Sequence, residues 1–149
     1  MKYKASFTKG IYLAIIIIIL YLVITVMLGS NSVSDLIQIS VPVIIFGIVY
    51  ILALTMGTHI VIENNSVKNY LMFLPKGTAE INTIKKIQSG SIGGIFKALI
   101  LAYEENGKAK AMNISILNFK KNTLKQFVSD LRKQNPQISI DQSVNELTS

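Results

Sequence analysis

The side chains able to do chemistry are few and poorly grouped. His59 is the single histidine, and the 149 residues contain no cysteine. That excludes a thiol nucleophile, a Cys-ligated metal and a disulfide scaffold. No His-Glu-x-x-His segment and no carboxylate cluster with ligand spacing occurs, so metal-assisted hydrolysis has no visible ligands. Glu104 and Glu105 are neighbours, and in an extended chain neighbouring side chains point to opposite faces. They suit a solvated hairpin better than an acid/base pair. Ser89–Gly94 (SGSIGG) has the composition of a phosphate loop but lacks the Gly-Lys-Ser/Thr ending and the helix N-terminus that would hold the anion. It reads as a flexible loop. These residues predict no catalytic site, no metal and no cofactor.

The lysines are the better candidates. Lys85, Lys86 and Lys97 flank the Ser/Gly loop, and Lys108 and Lys110 follow on the next hairpin. Close to an anionic lipid surface each basic side chain contributes about 1 kcal/mol. Lys85, Lys86 and Lys97 are therefore the candidate anionic-lipid surface. The net charge is +7, yet aromatic and basic residues do not interleave, and nucleic acid is not the expected partner.

The elements that must position these residues fall into two unlike parts. No charged residue lies between Lys9 and Asp35, or between Asp35 and Glu63. Ile11–Leu28 and Ile39–Met56 each have the length and apolarity expected of a membrane-crossing helix. The β-branched run Ile15–Ile19 would favour a strand in water, but in lipid only a helix satisfies its own backbone. Pro42 then falls in the first turn of the second helix. Lys2, Lys4 and Lys9 precede the first helix, which predicts cytoplasmic termini and an external loop.

After Met56 the pattern changes to strands. His59–Ile62 and Val67–Leu74 are separated by Asn64-Asn65-Ser66, and a turn is predicted at Pro75-Lys76-Gly77. Ile81, Ile84 and Ile87 are spaced by three, which suggests a bulge or bend. Ile95–Tyr103 and Lys110–Phe119 form a hairpin around Asn106-Gly107. Leu124, Phe127, Val128 and Leu131 make the apolar stripe of a helix over Thr123–Gln134 that packs on a sheet. Asn135-Pro136 stops it, and Gln137–Ile140 returns as a short strand.

Strands followed by one amphipathic helix match a PH-like plan. Thr58–Ile140 resembles the bacterial PH-like families, in particular the YyaB-like PH domain that often follows two membrane helices. The resemblance rests on the opening strand HIVIENNSVKNY, the Ile81–Ile84–Ile87 pattern, the loop and strand SGSIGGIFKALILAY, and the ending FVSDLRKQNPQISI. It departs at Ser115-Ile116-Leu117-Asn118, where the family usually has a proline. The expected fold class is α+β: a two-helix transmembrane hairpin followed by a PH-like bent antiparallel sheet or barrel capped by one C-terminal helix. The expected segments are a cytoplasmic N-terminus 1–10, helices 11–28 and 39–56 around an external loop 29–38, a PH-like domain 57–141 and a disordered tail 142–149.

The expected placement is multi-pass in a bacterial inner membrane, with membrane lipids and a protein as the candidate partners and an open oligomeric state. The leading functional expectation is a non-enzymatic module that binds a protein or lipid at the cytoplasmic face. The alternative, by analogy alone, is immunity against a membrane-active bacteriocin.

Overall fold

The computed structural model describes residues 1–27, 33–94 and 96–148, with some side chains in the helices left undescribed. The chain opens with strand β1 (Lys2–Lys4), then helices α1 (Phe7–Met27) and α2 (Val33–Gly57). Strands β2 (His59–Glu63), β3 (Ser66–Leu71) and β4 (Leu74–Glu80) follow, then a 3-10 turn at Ile81–Thr83. Next come β5 (Ile84–Ile92), β6 (Phe96–Glu105) and β7 (Lys108–Ser115), and a second 3-10 turn at Ile116–Asn118. Helix α3 (Lys121–Gln134), strand β8 (Ser139–Ile140) and helix α4 (Gln142–Thr148) complete it.

The strands make two four-stranded sheets, ordered β1-β2-β3-β4 and β7-β6-β5-β8. All neighbours are antiparallel except β5 and β8. One apolar cluster joins the inner rows of both sheets to α3: Ile60, Ile62 and Val67 from the first, Leu99, Leu101 and Ile114 from the second, with Phe127 and Leu131 from the helix. The alternation in each strand and the 3.6-residue stripe of α3 account for this directly.

Several expectations change here. Among the described residues no helix is long and apolar enough to cross a membrane. A span needs an unbroken apolar window, and the described positions of α1 and α2 supply none. The transmembrane hairpin, and the multi-pass inner-membrane placement built on it, are not upheld. Helix α2 starts at Val33 and not at Ile39, so Ser34, Asp35 and Gln38 lie within it and Pro42 is in its interior. Residues 29–32 of the expected external loop, and the last residue of the expected first helix, Leu28, lie outside the described residues.

The PH-like bent antiparallel sheet or barrel capped by one C-terminal helix is also corrected, to two four-stranded sheets with additional elements at both ends. Lys2–Lys4, expected to be a tail, pairs antiparallel with β2, because the Lys-Tyr-Lys alternation buries Tyr3 and leaves both lysines outside. The Tyr3 hydroxyl donates to Asp130 Oδ2 at 2.8 Å, and its ring meets Phe127 edge-on at 5.3 Å. The expected disordered tail is instead α4. Asp141 caps it, accepting from the Ser143 backbone N–H at 3.0 Å and from its hydroxyl at 2.7 Å, and Val144 is buried in the core.

Ser89–Ile92 is strand and not loop, paired with Leu99–Phe96. Gly90 sits where any Cβ would run into the Ile100 side chain, so glycine here makes room for a neighbour. Ile81, Ile84 and Ile87 are all buried, with a bulge between Ile84 and Lys86, in keeping with the bend their spacing predicts.

Candidate functional site

The six long strands of the two sheets run between two ends of the molecule. At one end lie the exit of α2, the entry of α1, the β3–β4 and β5–β6 turns and the 3-10 turn after β7. At the other lie the β2–β3 and β6–β7 turns. The chain crossings fasten the first end to the helices: Ala5 N donates to Thr58 O at 3.0 Å and Ser6 N to Asn118 O at 2.6 Å.

Three hairpins have two-residue turns with both φ values positive: Asn64-Asn65, Met72-Phe73 and Asn106-Gly107. Asparagine and glycine tolerate that conformation, whereas other L-residues lose roughly 1–2 kcal/mol each. The two turns at the far end use the tolerant residues. At the helix-facing end Gly93 and Gly94 have positive φ between β5 and β6, but the β3–β4 turn uses Met72 (φ 51°) and Phe73 (φ 69°). It is held there by backbone contacts, Phe73 N to Gly57 O at 2.9 Å and Met72 N to Thr58 Oγ1 at 3.3 Å. Gly57 is required, since a Cβ would lie 2.5 Å from Phe73 N. Phe73 and Leu74 remain about 60% and 61% exposed.

The turn predicted at Pro75-Lys76-Gly77 is therefore displaced, and those residues lie in β4. Asn69 pairs with Gly77 and Tyr70 with Pro75, which leaves Lys76 as the extra residue of a β-bulge. A bulge bends its strand and re-aims the side chain. At Gly77 the edge of the first sheet closes on the second, with Met112 Sδ at 3.1 Å from where a Cβ would be. Alongside is a cleft of about 170 Å³. Its polar lining includes Lys76, Asn69, Asn113, Ser115, Asn118 and Thr58, and its apolar lining Leu71, Ile92 and Phe119. No carboxylate lines it. Asn69 continues the inward row of Val67, is buried, and reaches across to the second sheet, its Nδ2 donating to Asn113 O at 3.2 Å.

The three candidate lysines are not brought together. Lys97 pairs with Ser91 at the helix-facing end, whereas Lys86 pairs with Ala102 five positions along the same ladder. At about 3.3 Å per residue that is roughly 17 Å. Lys86 is engaged with Asp141 at 3.1 Å, and the bonds from the Ser143 hydroxyl and backbone N–H, with the Lys86 pairing after them, lower the Asp141 carboxyl to about 2. Lys97 instead shares its end with Lys76, Phe73 and Phe96.

The far end is charged and paired. Glu63 meets Lys68 at 2.7 Å and Glu105 meets Lys110. The Lys68 ammonium, through its hydrogen bond and charge, holds the Glu63 carboxyl below its ordinary value. Glu80, Glu104 and Glu105 line a shallow hollow of about 140 Å³ there. Among the described residues no three metal-ligating side chains converge. His59 stacks on Tyr70 at 4.6 Å, and burial, then the charges of Lys2 and Lys4, hold its imidazole below the ordinary value.

Sequence reasoning missed Lys76, Asn69 and the Met72-Phe73 turn. The available signal was Pro75 followed by Gly77 inside a strand-like segment, which marks an edge strand or bulge as readily as a turn. No family model, curated protein or solved structure matches the chain.

Proposed function

We propose that the protein is a non-enzymatic binding module whose helix-facing end recognises an anionic lipid surface. The observation that carries this reading is segregation. Every carboxylate of β2 to β7 (Glu63, Glu80, Glu104, Glu105) lies at the far end, and the helix-facing end combines Lys76 and Lys97 with exposed Phe73, Leu74 and Phe96. Cations beside projecting apolar side chains suit a partner that is negatively charged at its surface and apolar beneath. Each lysine contributes about 1 kcal/mol near such a surface, and an inserted phenylalanine roughly 1.5–3 kcal/mol. Tyr12 and Ile16 of α1 and Phe46 of α2 are also more than half exposed.

The test is co-sedimentation of the full chain with phosphatidylcholine vesicles, with and without a third of phosphatidylglycerol, at about 0.15 M salt, where charges further apart than about 8 Å are screened. The wild type is expected to prefer the anionic vesicles. Lys76→Glu with Lys97→Glu removes the preference, and the matched reversal Lys68→Glu with Lys110→Glu leaves it. Equal binding to both vesicle types, or equal loss in both double variants, overturns the reading.

A further inference from the structure

Resting on that reading, we infer that the outward face of the first sheet, at its helix-facing end, binds a phosphate monoester headgroup between Lys2, Lys4 and His59. The register assembles the site. Tyr3, Ile60 and Val67 are buried, so Lys2, Lys4, His59, Val61, Lys68 and Tyr70 share the opposite face. Lys4 lies opposite His59, and His59 opposite Tyr70. Opposed side chains start about 5 Å apart. Lys2 is two places from Lys4 on the same strand, roughly 7 Å along it. Lysine side chains are long enough to close with the His59 ring on one small anion.

The site is held in place. Strand β1 is short and at an edge, yet Tyr3 locks it from beneath, donating to Asp130 Oδ2 at 2.8 Å and packing on Phe127. The Lys-Tyr-Lys triplet thus uses its middle residue as the anchor and presents both lysines outward. Among the described residues neither lysine has an ion pair, whereas Lys68, Lys86, Lys110 and Lys133 each meet a carboxylate. Glu63, the carboxylate of β2, is engaged by Lys68. The His59 ring is stacked on Tyr70 with 14° between the planes, which fixes it beside Lys4. Burial, then the charges of Lys2 and Lys4, disfavour its protonation, and no carboxylate offsets them. An anion among the three supplies the missing charge.

The class of anion follows from the donors. Two permanent cations and a ring able to carry a third charge suit a group with close to two negative charges and three free oxygens, which is a phosphate monoester. The site also neighbours the Met72-Phe73 turn, because Phe73 N meets Gly57 O two residues before His59. A headgroup held there leaves its apolar part beside Phe73.

The experiment uses the full chain in neutral detergent and follows the ring signals of His59, the single histidine. The probes are dihexanoyl phosphatidic acid, dihexanoyl phosphatidylglycerol and glycerol phosphate, at about pH 7.5, where a monoester is almost fully ionised. Phosphatidic acid is expected to shift the ring saturably, about tenfold or more tighter than either other probe. Sulfate, doubly charged throughout, should move the ring's titration midpoint upward by offsetting the lysine charges. Lys2→Gln with Lys4→Gln leaves the Tyr3 anchor in place. It should weaken phosphatidic acid about tenfold or more and abolish the sulfate effect. Lys4→Glu, the second variant, sets a carboxylate opposite His59 and should raise the midpoint without any anion. Lys85→Gln with Lys108→Gln, exposed lysines of other strands, should change nothing. Equal binding of phosphatidylglycerol, or titrations unchanged in both Lys4 variants, overturns the site and leaves the surface reading through Lys76 and Lys97 standing. Loss of vesicle preference in the wild type overturns the surface reading, whatever the ring reports. Equal saturation by glycerol phosphate keeps the oxyanion site and overturns a lipid as its source.

Discussion

The two ends of the sheet pair are built to different standards. At the far end, the turns with positive φ use Asn64-Asn65 and Asn106-Gly107, and Lys68 and Lys110 are paired with carboxylates. Local propensity, charge and exposure all agree there, which is what stability and solubility require. At the helix-facing end they disagree. In the β3–β4 turn bulky residues take positive φ, a lysine occupies a bulge, a buried asparagine sits in an inward row, and aromatic tips face outward. Both ends belong to the same strands, so the difference is not one of chain quality. Places where local rules are broken inside an otherwise consistent fold are where binding sites are to be expected.

The largest break in this comparison should come from the tips. Phe73→Asp with Phe96→Asp removes roughly 3–6 kcal/mol of apolar burial against lipid, a hundredfold or greater loss in anionic-vesicle co-sedimentation. Asn64→Asp with Asn106→Asp, at the far end, should leave binding within about twofold, since surface changes away from a site have small effects.

Glycine substitution sharpens the contrast in stability. Gly57→Ala forces a Cβ against the Phe73 and Met72 backbone, where nothing flexible can yield, and should cost about 1–3 kcal/mol in thermal unfolding. Gly107→Ala meets nothing within 4 Å and should cost only the roughly 1–2 kcal/mol of its positive φ. The prediction fails if the far-end substitution proves the more damaging.

Replacing Met72-Phe73 by Asn-Gly should stabilise the fold by about 2–4 kcal/mol, because the φ penalty of both residues disappears while the bonds from their backbone N–H groups to Gly57 and Thr58 remain. The same variant should bind anionic vesicles less well. A destabilised variant would mean that the Phe73 side chain, and not only its backbone, secures the end.

The smallest effect concerns pH. In the folded chain burial and the nearby lysines disfavour the protonated His59 ring, whereas in the unfolded chain it takes a proton near 6.5. As pH falls below about 6.5 the unfolded state gains the proton first, so stability declines there and is flat just above. His59→Gln should remove that part of the slope below about pH 6.5.

Much of the framework was legible. The apolar runs give helices, the Asn64-Asn65 and Asn106-Gly107 turns are local signals, and the Leu124–Leu131 stripe gives α3, because each depends on residues within a few positions of one another. What the runs did not determine is how α1 and α2 are used, because apolarity sets conformation without naming the surface that covers it.

Tertiary structure alone decided the rest. Lys2–Lys4 became a strand because β2 offered an open edge, and α4 formed because Val144 found the core and Asp141 could cap it. The β3–β4 turn moved to Met72-Phe73 because Gly57 and Thr58, more than ten residues earlier, hold its backbone. That shift placed Lys76 in a bulge at the cleft, while the β5–β6 register kept Lys85 and Lys86 from joining Lys97. Propensity acts between neighbours in sequence, whereas the cleft is made by groups that meet only when two sheets close on each other.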